Sequence, residues 1–118
     1  MYKEAIREYE LAERYGGPKQ TAHLGYAYAR LGDKKHAFTF LAELQDLEKR
    51  SPSGDVSDDL ALVETGLGNR EAALEWLEKE YEQHDGDGPW DAKFDPLFAP
   101  LRSDPRFQEL MRRVKFPS

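Results

Sequence analysis

A chain of 118 residues has room for one hydrophobic core and is too short for two. With 39% hydrophobic and 34% charged residues and a mean hydropathy of −0.82, it suits thin helical layers with much exposed surface rather than a thick α/β core. A formal charge of −6 argues against nucleic acid as a direct partner, the lack of cysteine removes disulfides, thiolate zinc sites and thiol nucleophiles, and no run of 18 apolar residues exists to enter a membrane.

Tyr2, Ala5, Ile6, Tyr9, Ala12 and Tyr15 recur at helical spacing, which predicts a helix over roughly 2–15 that Gly16-Gly17-Pro18 ends. Its start is charged and amphipathic where a signal peptide would need an apolar run, so no signal peptide and a cytoplasmic location are the expectation. Pro18 suits the first turn of a second helix through Leu24, Tyr28 and Leu31, stopped by Gly32. Asp33 is the expected N-cap of a third, with Ala37, Phe40, Leu41, Leu44 and Leu47 inward, which runs out before Ser51-Pro52-Ser53-Gly54. Ser57 is the expected cap of a fourth helix, with Asp58 and Asp59 in its first turn, Leu60, Val63 and Leu67 inward, and Gly68 closing it. Asn69 opens a fifth, whose stripe is Ala73, Trp76, Leu77 and Tyr81, ending near Asp85-Gly86-Asp87-Gly88-Pro89. In the tail, Asp95-Pro96 and Asp104-Pro105 each put an acceptor side chain before a proline, so each should open a helix, the first of one turn. The second carries Phe107, Leu110, Met111 and Val114 on one face and should close the open end of the stack.

Nothing in these elements predicts catalysis, a metal or a cofactor. In the 85–91 run a calcium loop would need glycine where Trp90 stands, and Pro89 falls on a ligand position. His23, His36 and His84 fall on separate elements without metal-ligand spacing. Gly66-x-Gly68 lacks the preceding strand and third glycine of a phosphate loop, and no GxSxG is present. The aromatic stripes, Tyr9, Phe40 and Trp76 among them, are explained as core by their spacing.

Leu24-Gly25-x2-Tyr28, Leu31-Gly32-Asp33 and Ala37-x3-Leu41 return as Leu60-Ala61, Leu67-Gly68-Asn69 and Ala73-x3-Leu77, shifted by 36 residues from Leu31 to Leu67. Ala5-x3-Tyr9 precedes Ala37-x3-Leu41 by 32. This pattern resembles the tetratricopeptide repeat (TPR), whose period is about 34 residues. Thr21, Glu64, Glu80 and Lys49 depart from it, at places where the family commonly has an aromatic, an aromatic, a small residue and a proline. The stretch from Phe94 to Val114 resembles the terminal segment of many bacterial TPR proteins, including arrays carried C-terminally to kinase, winged-helix or cyclase-like domains. It departs at Ala99, where an acidic residue is common, and Asp58-Asp59 replace an aromatic-rich helix start.

The resemblance implies an all-α, TPR-like solenoid of antiparallel helix pairs with a C-terminal capping helix. Residues 1–84 would hold the second helix of one repeat and two full pairs, and 85–118 a linker and cap of the same domain. It implies a protein–protein interaction module, regulatory or scaffolding, with no enzymatic activity. In such stacks the first helix of each pair lines a shallow concave groove, here Lys19, Ala22, His23, Tyr26 and Arg30, then Asp58, Asp59, Leu62 and Thr65. Asp58-Asp59 disfavour the acidic tails that carboxylate-clamp TPR domains grip, so a basic or aromatic-bearing peptide is the expected partner. The alternative is an oligomerisation or spacer domain, self-associating through the helix at 2–15, whose Tyr2, Ile6 and Tyr9 stripe lacks a usual neighbour.

Overall fold

The computed structural model describes residues 18–50, 56–83, 92 and 95–114. The helix expected at 2–15, the loop at 51–54 and the 85–91 run lie outside the described residues, as do His84 and Phe94. Among the described residues there is no strand. The α-helices are α1 (Pro18–Leu31), α2 (Lys34–Arg50), α3 (Ser57–Leu67), α4 (Arg70–Gln83) and α5 (Pro105–Arg113), with a 3-10 helix at Pro96–Leu101 between α4 and α5. The chain is thus all-helical across these residues.

Two turns with the same hydrogen bonding fold α2 back on α1 and α4 back on α3. Gly32 and Gly68 have φ of +95° and +86°, the left-handed conformation that costs glycine least. At the first, the Gly32 and Asp33 amides donate to the Ala29 and Tyr28 carbonyls at 3.1 and 2.9 Å. At the second, Gly68 and Asn69 donate to Thr65 and Glu64 at 3.1 and 2.9 Å. Both are Schellman endings, and both lead at once into the next helix, as Ala37 donates to the Asp33 carbonyl and Ala73 to that of Asn69.

The side chains support the two turns differently. Asp33 caps α2 as expected, accepting the His36 amide at 3.2 Å while its other oxygen lies 2.7 Å from His36 Nδ1. The His36 amide, then the His36 ring, holds the Asp33 carboxyl below its ordinary value of 3.8. The His36 ring also stacks on Tyr28, with centroids 4.8 Å apart. At the second turn Asn69 donates instead to Glu64 Oε1 at 3.1 Å. Glu64, 36 positions after Tyr28, therefore braces its turn by a hydrogen bond where Tyr28 braces the other by stacking.

Ser57 does not cap α3. Val56 holds the N-cap position without a side-chain hydrogen bond, and Ser57 is already helical. Its Oγ is buried and has no hydrogen-bond partner. Ser57→Ala should therefore leave the unfolding midpoint unchanged or raise it, whereas loss of a true cap would cost about 1 kcal/mol. A denaturant titration of the variant distinguishes the two.

α3 is the central element. It packs against α1, α2, α4 and the 3-10 helix, and is buried on almost every side from Ser57 to Gly66. The α1–α3 contact is as extensive as those within each hairpin, and glycine permits it. A Cβ on Gly25 would lie 2.9 and 3.2 Å from the Val63 methyls. One on Gly66 would lie 2.9 Å from Tyr26 Cδ2 and 3.2 Å from its Cα and carbonyl oxygen.

The expected inward stripes are largely met. Leu24, Ala37, Leu41, Leu44, Leu60, Val63, Ala73 and Leu77 are buried, while Tyr28, Phe40, Leu47, Leu67, Trp76 and Tyr81 are half-buried. Leu31, expected inward, is 42% exposed at the end of α1, and Phe38 on α2 is 51% exposed. Ala37 and Ala73 are each fully buried, so leucine at either should overpack and cost about 1–3 kcal/mol. Unaltered thermal unfolding of both variants would mean that helices do not meet closely at these alanines.

The tail folds onto this framework. Asp95 Oδ1 accepts the Leu97 amide and Asp104 Oδ1 the Arg106 amide, each at 2.9 Å, and proline follows each as expected. The 3-10 helix lies on α3 and α5 on α4. Phe98, Leu101, Phe107, Leu110, Met111 and Val114 join the main core cluster. Arg102, Arg106, Arg112 and Arg113 stay exposed, with Arg106 bonded to Glu78 at 3.2 Å and Arg113 over the Tyr81 ring at 5.3 Å.

Candidate functional site

Most side chains expected to line the groove are buried. Helical spacing puts Ala22, His23, Tyr26 and Arg30 on neighbouring turns of α1, and Asp58, Asp59, Leu62 and Thr65 on α3. Ala22, Tyr26, Asp59, Leu62 and Thr65 are buried, His23 and Asp58 are half-buried, and Arg30 is exposed. Lys19 lies in the first turn of α1. Most of these side chains thus face the packing between helices, and one close approach accounts for part of it. Tyr26 lies against Gly66, which turns this part of α1 onto α3 instead of outward. Ala22, Tyr26 and Leu62 belong to the main core cluster. Thr65 turns its hydroxyl to the Ala61 carbonyl at 2.7 Å, leaving it occupied within its own helix. What remains accessible is a rim marked by His23, Arg30 and Asp58.

A second concavity lies between α2 and α4. Gln45, Glu48 and Lys49 line one side and Trp76 and Lys79 the other, around about 430 Å³. Glu48 continues the buried line Ala37, Leu41, Leu44 one turn further, so a carboxylate occupies a core position at 5% exposure. Lys79 Nζ meets Glu48 Oε1 at 2.9 Å and sits 5.0 Å from the Trp76 ring centroid. Glu48 Oε2 is buried and has no hydrogen-bond partner. The spacing 37, 41, 44, 48 is the sequence signal that places Glu48 on the core face.

A third concavity, also about 430 Å³, lies on the tail among Arg102, Phe107, Gln108, Met111 and Arg112. Its charge is partly spent, because Arg112 chelates Glu109 at 2.6 and 3.0 Å. This contact raises the arginine's pKa and lowers the carboxylate's. Among the described residues no group of three or more His, Cys, Asp or Glu side chains could hold a metal ion, and no helix is long and apolar enough to cross a membrane.

No family model, curated protein or solved structure matches the chain.

Proposed function

We propose that this chain is a TPR-type helical-repeat module, cytoplasmic and non-enzymatic, that binds a protein or peptide and serves a regulatory or scaffolding role. The observation that carries it is the reuse of one hairpin turn. The Gly32–Asp33 and Gly68–Asn69 endings share their hydrogen bonds, and the first helices α1 and α3 pack side by side through glycine. In a solenoid each unit buries its apolar face only by stacking on the next, and that packing is the structural purpose of such a repeat. The 3-10 helix on α3 and α5 on α4 would then stand in for a further pair, closing the stack as a cap.

With Ala22, Tyr26, Leu62 and Thr65 buried, the partner would engage the rim at His23, Arg30 and Asp58. The net charge of −6 favours a basic segment. A second reading, self-association on the α1–α2 flank, draws on the exposure of Leu31 and Phe38. A peptide-array screen followed by anisotropy titration tests the first. Binders enriched in Lys, Arg and aromatic residues should weaken on combined substitution of His23, Arg30 and Asp58 by alanine. Binders indifferent to that triple variant would remove the rim from the proposal. Sedimentation of Phe38→Glu tests the second, since an oligomer that persists unchanged rules out that flank.

A further inference from the structure

We propose that the cleft between α2 and α4 is an arginine-binding site, occupied in the free protein by the chain's own Lys79. The inference concerns a different face from the rim and does not depend on it.

A carboxylate at 5% exposure is costly to keep ionised unless it is fully bonded. Glu48 is only half bonded, because Lys79 approaches Oε1 alone and leaves Oε2 without a partner. An ammonium is a point charge on a flexible stem and satisfies one oxygen here. A planar guanidinium carries donors in a fork that meets both oxygens of a carboxylate at once and can lie on an aromatic face. Trp76 supplies that face, and Lys79 already demonstrates that a cation settles between it and Glu48. The volume of about 430 Å³ leaves room for an arginine side chain.

Displacing Lys79 requires that it have somewhere to go. Its side chain is 39% exposed, and Glu75 and Glu82 stand one turn away on α4, both exposed. Lys49 on the rim opposes an incoming cation, but it is exposed, so solvent and salt screen it. Gln45, also on the rim, offers an amide carbonyl to the remaining guanidinium N–H groups.

The test uses the full chain, N-acetyl-arginine amide as probe, and NMR shifts of the Trp76 indole N–H. Lys79→Ala should tighten binding on the order of tenfold, since the internal competitor is gone. Glu48→Gln in that background should abolish binding with the spectrum otherwise dispersed as before. If Glu48→Gln does not fold, Trp76→Leu in the same background replaces it, with the shifts of the Gln45 side-chain amide as readout, and should weaken binding. N-acetyl-citrulline amide, neutral and nearly isosteric, should not bind, and N-acetyl-lysine amide should bind less well than the arginine probe. The proposal is overturned if Lys79→Ala fails to tighten binding, if the Glu48 or Trp76 variant binds as well as its parent, or if the citrulline or lysine probe matches arginine.

Discussion

Replacing Phe107 by alanine is expected to lower the unfolding free energy by about 3–5 kcal/mol. Phe107 is 3% exposed and belongs to the cluster that joins α5 and the 3-10 helix to Leu60, Leu74 and Leu77. α5 has only 9 residues, too few to hold a helix in water on its own, so its order depends on this docking. The cavity left by Phe107→Ala would therefore loosen the whole tail. The neighbouring Arg106 provides the control. Its ion pair with Glu78 is about half exposed and contributes at most about 1 kcal/mol, so Arg106→Ala should be mild. Urea unfolding of the two variants decides the matter. Equal, small effects would mean that α5 is not needed to close the core, and the tail's apolar residues would then have to serve another chain.

The second large effect is expected at Gly66. A Cβ there meets the Tyr26 Cα and carbonyl oxygen at 3.2 Å, and backbone cannot swing aside as a side chain can. Gly66→Val should cost at least the upper part of the about 1–3 kcal/mol range of overpacking. Valine brings little compensation, since it is itself a modest helix former. Gly66→Ala should cost less, because alanine recovers about 1 kcal/mol of helix propensity over glycine. Thermal unfolding with the order wild type, alanine, valine is the expected outcome. A valine variant as stable as wild type would mean that α1 and α3 do not touch at this point.

What was legible in the sequence is what local chemistry decides. The two Asp-Pro openings could be read because the capping bond spans two residues, Asp95 to Leu97 and Asp104 to Arg106. The glycine endings could be read because φ near +90° at Gly32 and Gly68 has few other residues to serve it. Contacts between distant segments were not legible. Gly66 stands in the sequence only as half of a Gly-x-Gly pair without a phosphate loop's strand or third glycine, and the approach of Tyr26 from α1 gives it a purpose. Glu48 is distinguished by Lys79, 31 positions away. The burial of Tyr26, Leu62 and Thr65 was not legible for the same reason: the periodicity of α1 and α3 assigns faces, but how closely the two helices approach depends on packing that no single helix encodes.

The proposed function rests on α1 and α3 lying side by side as the first helices of successive repeats. A NOESY spectrum with methyl labelling measures that directly. The account predicts cross-peaks from both Val63 methyls to the Gly25 Hα protons, and from the Tyr26 ring to Gly66 Hα. If the Val63 methyls instead report neighbours elsewhere and no Gly66–Tyr26 peak exists, the helices are paired differently, and the repeat, its rim and its cap fall together.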